Sequence, residues 1–462
     1  MRQLSIYLAL VLVCGASRAE QLTIGQCRET ALQYNKSLKQ ASLGTVAATY
    51  DMRAAKALFL PDFSVKAFGM YDTATGGLSY DLSELRGSLA PLVTEGVQQG
   101  VLSLQQAQWL AAKAANIPGS IGMDYSMDWI YGGAVMLKQP LYMGGKIRAA
   151  NRMTAIARNL SQESQRMTEA EVIQKTDEAY AKVVNAKELE QVARKYKELL
   201  VELDSNVCSA IRHGMGMEND RLRVQVRLNE VELQLRKAQN GIRLAKMNLC
   251  HMLGRPLDDE VDVMPEYPYV EEAVQVSDVS SRPEYAMLEG KARLAEQQVK
   301  MARSEMLPQL ALLAKYGYTH GIEVGGNPLF DEWSFAGGLT LSVPLYHFGE
   351  RANKVKSARI KLEQAQIERE EKVELMRLEL AQAANTLDES KMEVELGEMS
   401  VKQAEESMRL SGKNYRSGLA TLSDYLESQV QWQKAYESCV NSHFRLYLSS
   451  VDYLRCSGLL VP

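Results

Sequence analysis

The chain of 462 residues carries 53 basic and 57 acidic side chains, and its formal net charge of −4 argues against a nucleic-acid partner. Its hydrophobic content of 46% is ordinary for a folded protein, and no stretch after Val13 is long and apolar enough for a transmembrane helix. If the chain crosses a membrane, it must therefore do so with strands in a closed barrel.

Residues 1–19 have the features of an export signal. Arg2 precedes an apolar run too short to span a bilayer, and residues 17–19 form a small-x-small cleavage site. Val13 is too bulky for the small residue that a lipoprotein signal needs before Cys14, so simple cleavage is favoured. Loss of two arginines leaves 51 basic and 57 acidic residues, a net charge of −6. We expect the chain to leave the cytoplasm.

No group of side chains in the sequence indicates catalysis. The five histidines are scattered, and no Cys-x-x-Cys pair occurs. The run Gly214-Met215-Gly216 follows no strand and lacks the third glycine of a nucleotide loop. We therefore expect no enzyme, no catalytic or cofactor-binding residues, no cofactor and no metal site.

The mature chain begins with a helical pattern over 22–58, which Pro61 ends. Four later segments alternate apolar with small or polar residues, as half-buried strands do. These segments lie at about 62–72, 123–140, 309–320 and 333–345.

The apolar faces of these strands are rich in aromatic residues. A soluble sandwich would also give the alternation, but aromatic girdles are typical of the lipid face of a membrane barrel. Four strands are too few to close a barrel, for which about eight are the minimum. Open sheet edges do not occur in lipid, so several chains must contribute strands to one barrel.

An insertion at 72–122 separates the first two strands, and the equivalent connection at about 320–332 is far shorter. Apolar residues recur at helical spacing from Leu82 to Val97 and again from Leu104 to Ala111. We expect a helical hairpin here, acting as a lid or as a surface decoration.

Each strand pair leads into a very long helix and a shorter return helix. The two hairpins are expected at 146–254 and 350–458, with turns at Gly214 and Gly418. At ~1.5 Å per residue, about 66 residues extend on the order of 100 Å. The second long helix keeps a seven-residue apolar spacing with one four-residue stutter, which is coiled-coil patterning.

A constant offset of 204 residues relates the two halves of the chain. It pairs Pro140-Leu141-Tyr142 with Pro344-Leu345-Tyr346, Gly214 with Gly418, Asp220 with Asp424, and Gly254 with Gly458. One structural unit is therefore present twice. The unit is helix–strand–strand–long helix–helix, and the copies are assigned to 20–255 and 283–462, with 256–282 as the linker.

On these features the chain resembles the TolC family of outer-membrane efflux proteins. The resemblance covers nearly all of the mature chain, and Leu60-Pro61 and Leu307-Pro308 before the first strand of each half add to it. It implies a mainly α fold with membrane β: a homotrimer whose 12-stranded outer-membrane β-barrel continues as an α-helical periplasmic tunnel. The 72–122 insertion would then be extracellular and 256–282 an equatorial segment.

The resemblance also implies a function and partners. The protein would be a passive exit duct of a tripartite efflux or type I secretion system, in the outer membrane of a Gram-negative bacterium and extending into the periplasm. Its cargo would be small molecules, such as drugs and toxic compounds, or proteins. Its partners would be a periplasmic adaptor (membrane fusion) protein, an inner-membrane pump of the RND or ABC type, and outer-membrane lipid. Two alternatives remain: an exported coiled-coil scaffold or adhesin without a pore, and an exported enzyme.

Family members close their tunnel at the helix tips with acidic residues and a tyrosine. Asp220, Tyr415, Asp424 and Glu427 fall on the matching positions here. The alternative for Asp424 and Glu427 is a solvated helix start, where acidic residues are favoured. Ala420 replaces the arginine that latches the tip of the best-known member, so that latch cannot form.

Two further sets of residues are expected to act at or near the tunnel wall. The tips themselves, Gly214-Met215 and Gly418-Leu419, would contact the adaptor. Cys27 begins the first helix and Cys250 ends a return helix, and two short helices stacked end to end would bring these cysteines together. In an oxidising compartment we predict a Cys27–Cys250 disulfide, with two buried core thiols as the alternative.

Overall fold

The computed structural model describes residues 21–460 except 74, 266, 268–277, 325–326 and 329–330. The predicted export signal and part of the predicted linker lie outside these residues. The chain divides into two compact units. The helical unit comprises Met1–Arg53, Asn151–Val299 and Lys356–Pro462, and the strand unit comprises Ala54–Ala150 and Lys300–Val355.

The described residues form nine helices and eight strands. The helices are α1 Ile24–Tyr34, α2 Lys36–Ala57, α3 Ser83–Gln98, α4 Leu104–Ala115, α5 Lys146–Arg212, α6 Glu218–Met252, α7 Pro283–Ser304, α8 Glu350–Arg416 and α9 Leu422–Cys456. The strands are β1 Gln21–Leu22, β2 Asp62–Tyr71, β3 Thr75–Asp81, β4 Ser120–Met143, β5 Asp262–Val263, β6 Gln309–Val324, β7 Asn327–Pro328 and β8 Trp333–Ser342.

The single helix expected over 22–58 is two helices, α1 and α2, separated at Asn35. The backbone of Asn35 is extended, with φ −64° and ψ 128°. Its Oδ1 accepts a hydrogen bond from the Ser37 amide at 2.9 Å and so caps α2. Its Nδ2 donates to the carbonyl oxygen of Met252 at 3.1 Å, which holds the break against the end of α6.

All four helices of the two hairpins end in the same way. Each has a glycine in the left-handed region: Gly214, Gly254, Gly418 and Gly458, with φ between 71° and 76°. The next amide donates back five residues, as from Met215 to the Ala210 oxygen at 2.9 Å and from Leu419 to the Asn414 oxygen at 2.8 Å. This is the Schellman motif, which favours glycine because a Cβ is strained at positive φ.

The hairpins have the same lengths, because α5 and α8 each have 67 residues and α6 and α9 each have 35. Ion pairs that involve buried charged residues connect helices of the helical unit at two places. Arg28 donates to the fully buried Asp177 carboxylate at 2.8 Å. Arg282 and Arg455 donate to opposite oxygens of Glu379 at 2.9 and 2.7 Å. Hydrogen-bonded pairing of this kind is what makes a buried charge tolerable.

The strand unit contains a sheet whose four long strands lie side by side in the antiparallel order β2-β4-β6-β8. β4 pairs with β6 along one edge, so β2 and β3 share its other edge. Among the described residues, the outer edges of β2 and β8 have no partner strand.

The pairing register gives the sheet two different faces. Val65 lies opposite Val135, Val135 opposite Tyr316, and Tyr316 opposite Phe335, so all four side chains share one face. This apolar face is exposed and aromatic: it includes Phe63, Val65, Tyr71, Trp129, Tyr131, Val135, Tyr316, Trp333, Phe335, Leu339 and Leu341. The other face, termed the polar face below, carries mainly small, polar and charged residues.

The 72–122 insertion contains the two predicted helices, α3 and α4, and one strand that the sequence did not predict. That strand, β3, pairs with the start of β4 from Thr75 opposite Ser126 to Asp81 opposite Ser120. Neither α3 nor α4 has a fully buried residue. Among the described residues, no helix has the length and apolar character that crossing a membrane requires.

Candidate functional site at the hairpin tips

Both hairpin tips rest on one apolar cluster, so the structure brings the two turns together. The cluster takes residues from all four helices near their tip ends: Tyr196, Leu200, Leu203 and Val207 of α5, Val224 and Val231 of α6, and Leu422, Leu426 and Trp432 of α9, with Met408 and Tyr415 of α8 packed against them. The predicted site residues therefore belong to one region of the helical unit.

Asp220 and Tyr415 lie close enough to interact electrostatically. Tyr415 is half-buried, and its ring stacks on that of Tyr425 with centroids 5.8 Å apart. Burial raises the pKa of Tyr415, and the negative charge of Asp220 raises it further. One residue comes from the first hairpin and the other from the second, so the two tips lie near each other.

Asp424 is engaged at the start of α9. Its carboxylate accepts hydrogen bonds from the Thr421 amide at 2.9 Å and the Thr421 hydroxyl at 2.8 Å, completing a capping box. These bonds, first from the backbone and then from the side chain, lower the pKa of Asp424. Glu427, one turn later, is exposed. Asp424 therefore has a local helix-capping role, and that role leaves its negative charge available to solvent.

A hydrogen bond that the sequence did not predict connects the tips. Arg223 Nη1 of α6 donates to the Ser423 hydroxyl of α9 at 2.7 Å. Tyr425, which stacks on Tyr415, sits over Gly412, where an added Cβ would lie 3.0 Å from the ring. One feature of the sequence could have drawn attention to Arg223. The 204-residue offset pairs it with Glu427, so the first tip has a basic residue where the second tip has an acidic one.

The turns expose large apolar side chains. Met215 is 79% exposed and Leu419 is 80% exposed, and each follows the positive-φ glycine of its turn. The neighbouring Met217 is also exposed. Apolar side chains at the end of a helical hairpin suit contact with another protein.

Cys27 and Cys250 are both fully buried in one apolar cluster. Both are free thiols in the structure, as are Cys208, Cys439 and Cys456. Burial raises the pKa of Cys27 to about 12 and also raises that of Cys250. A thiolate is the attacking species in disulfide formation, so oxidation of the folded chain would be slow and the bond would have to form during folding.

We predict that peptide mapping of the exported protein under non-reducing conditions recovers Cys27 linked to Cys250. Cys456 is an internal control, because its thiol is equally buried and its pKa is also raised to about 12. If the bond forms, Cys27→Ser should lower the free energy of unfolding by about 3–5 kcal/mol. Alkylation of both residues without prior reduction would contradict the bond.

Within the described ranges, no three histidine, cysteine or carboxylate residues are grouped so that they could hold a metal ion. Of the titratable residues at the tips, Asp424 caps its own helix and Glu427 is exposed. This region presents negative charge and exposed apolar side chains at its surface.

Comparison with known proteins adds three findings. The family model described as "Outer membrane efflux protein" matches residues 27–255 and 279–444. The alkaline protease secretion protein AprF of Pseudomonas aeruginosa is 25% identical over 378 residues, which are 80% of this chain and 75% of AprF.

Among solved structures, the CmeC outer membrane channel of Campylobacter jejuni is similar, with a TM-score of 0.74 and 17% identity, covering 95% of this chain and 86% of CmeC. The outer membrane protein VceC of Vibrio cholerae has a TM-score of 0.72 and 18% identity, covering 94% and 96%. At such identities the likeness shows the shared fold.

Proposed function

The chain belongs to the outer membrane efflux protein family and is a duct of the outer membrane that extends into the periplasm; we propose that it works as a trimer and passes cargo from an inner-membrane pump. The observation that carries the proposal is the sheet with an apolar aromatic face, whose two outer edges have no partner strand in the described part of the chain. In lipid, backbone groups at such edges must find partners.

The two outer edges suit each other, because β8 of one copy can pair with β2 of the next. Three copies of the four long strands would then give a closed barrel of 12 strands, with the aromatic face towards lipid. The paired α5–α6 and α8–α9 hairpins would form the wall of the periplasmic tunnel. The test is native mass in detergent together with single-channel conductance in planar bilayers. A monomer that never conducts would refute the trimeric duct.

The tips are proposed to form the periplasmic constriction. Asp220, Tyr415, Asp424 and Glu427 would be repeated three times around the axis, and the Arg223–Ser423 hydrogen bond would hold the two hairpins of each copy together. Carboxylates brought together in this way repel each other and attract cations. The constriction would therefore select for cations and bind multivalent ones.

We expect the double variant Asp424→Ala, Glu427→Ala to lower the selectivity for cations and to weaken block by multivalent cations. Reversal potential and block in planar bilayers measure both effects. The isosteric pair Asp424→Asn, Glu427→Gln is the matched control for the lost capping box, and it should behave like the alanine pair. Unchanged reversal potential and block in both variants would contradict the acidic ring.

We infer the protein partners from the exposed side chains at the tips and from the names of the matching family and of AprF. Met215 and Leu419, with Gly214 and Gly418 behind them, offer an apolar surface to a periplasmic adaptor protein. The adaptor would connect the duct to an inner-membrane pump of the RND or ABC type. The family name supports a role in efflux, and the name of AprF supports the secretion of a protein.

A further inference from the structure

In one part of the sheet the charged residues all lie on the polar face; outside this part, β3, β4 and β6 add the acidic residues Asp81, Asp124, Asp128 and Glu323. Within 62–71, 129–143, 309–321 and 333–342 there are four side chains that are fully charged at neutral pH: Asp62, Lys66, Lys138 and Lys315. Lys66 lies opposite Ala134, Lys138 opposite Asp62 and Leu313, and Lys315 opposite Met136 and Ala336. These pairings put all four on the polar face, which also carries Phe68, with three positive charges and one negative charge within these segments.

The three lysines, termed the lysine belt, are exposed and occupy neighbouring strands. Lys138 and Lys315 are diagonal neighbours on β4 and β6. Among the described residues the structure gives no ion pair to any of the three ammonium groups, and Asp62, although opposite Lys138, makes none with it. Asp62 lies directly opposite Lys138, whereas the diagonal pair Lys138 and Lys315 places two like charges close together, which is unfavourable within one chain.

The surroundings of the belt leave the ammonium groups open. The row that contains Lys66 continues across the sheet as Ala134, Gly317 and Ser334. At Gly317 an added Cβ would lie 2.5 Å from the Ala134 Cβ, so this part of the face accepts only the smallest residues. The long lysine side chains extend beyond the small residues around them, so their ammonium groups are accessible to solutes.

We propose that the lysine belt faces the transport path and favours anionic solutes, those that carry carboxylate or phosphate groups. The proposal rests on the proposed trimeric duct, in which the polar face points inwards and nine lysines surround the path in three successive rows of the sheet. A site lined by one sign of charge raises the local concentration of ions of the opposite sign. The preference of the belt would be opposite to the one proposed for the acidic tips.

The test compares the wild-type protein with the triple variant Lys66→Gln, Lys138→Gln, Lys315→Gln in planar bilayers of zwitterionic lipid under a KCl gradient. We expect the chloride-to-potassium permeability ratio to fall about twofold or more at ~0.1 M salt. The change should shrink at 1 M salt, because the screening length falls from ~10 Å to ~3 Å. Each single Lys→Gln variant should shift the ratio in the same direction by a smaller amount.

Replacement of all three lysines by arginine is the matched control, because it keeps the charge and should keep the wild-type ratio. A conducting Gln variant with the wild-type ratio at low salt overturns the belt alone. An equal shift of the permeability ratio in the Arg variant would also overturn the belt, because the effect would then come from the shape of the side chains and not from their charge. A wild-type protein that never conducts overturns the duct and the belt with it.

Discussion

Proline at Thr340 or at Leu341 is expected to abolish the trimer and its conductance. These neighbours in β8 lie opposite Ala311 and Leu310 of β6. Successive amides of a strand point to opposite sides, so one proline removes a hydrogen bond to β6 and the other removes one at the outer edge. If the outer edge of β8 pairs with β2 of another copy, the amides of Thr340 and Leu341 both donate hydrogen bonds, and the loss of either one weakens the sheet.

The measurements are native mass in detergent and single-channel conductance of each variant. Thr340→Val and Leu341→Val are the matched controls, because both keep the amide and suit a strand. Both controls should form conducting trimers. Retention of the wild-type trimer and conductance by both proline variants would show that the outer-edge amide needs no partner, and would count against pairing between copies.

Lysine at both Met215 and Leu419 is expected to abolish export while leaving the duct itself intact. Both side chains are almost fully exposed, so the change costs the free chain little. In a complex, the same side chains would be buried apolar contacts, and buried charges without partners are strongly unfavourable. Loss of ~3 kcal/mol at such a contact would weaken binding by about a hundredfold.

Export is measured as dye accumulation in a deletion strain that carries each variant, and conductance is measured on the purified protein. Val101→Lys is the matched control, because Val101 is 74% exposed but lies between α3 and α4, in the other unit. The control should export normally. Full export by the double variant would rule out docking through these two side chains.

The long elements of the fold were predictable because each follows from a repeated local pattern. Alternation placed β2, β4, β6 and β8 within a few residues, and glycines marked the ends of the hairpin helices because a positive φ favours glycine. The break at Asn35 was not predictable, because it depends on a contact with Met252, 217 residues away. β3 was missed because Thr75-Gly-Gly has few of the residues that favour strands.

The candidate site was predictable only in part. The repeat offset and the resemblance located Asp220, Tyr415, Asp424 and Glu427 near the tips. They did not show that Asp424 caps a helix, although Thr421 three residues earlier is the sequence signature of a capping box. The Arg223–Ser423 contact joins positions 200 residues apart, and no local pattern reports such a pairing.

The equal lengths of the two hairpins limit which insertions and deletions the helices can accept. One residue inserted into α5 alone would turn everything beyond it by about 100° and advance it by ~1.5 Å. Leu200 and Val207 would then leave the cluster at the tips, while Leu422 and Trp432 of the other hairpin would stay. Changes in helix length are therefore tolerated as a matched pair in both halves, or in steps of about seven residues that restore the rotation. The two copies of the unit differ in sequence, but their hairpin helices have the same lengths.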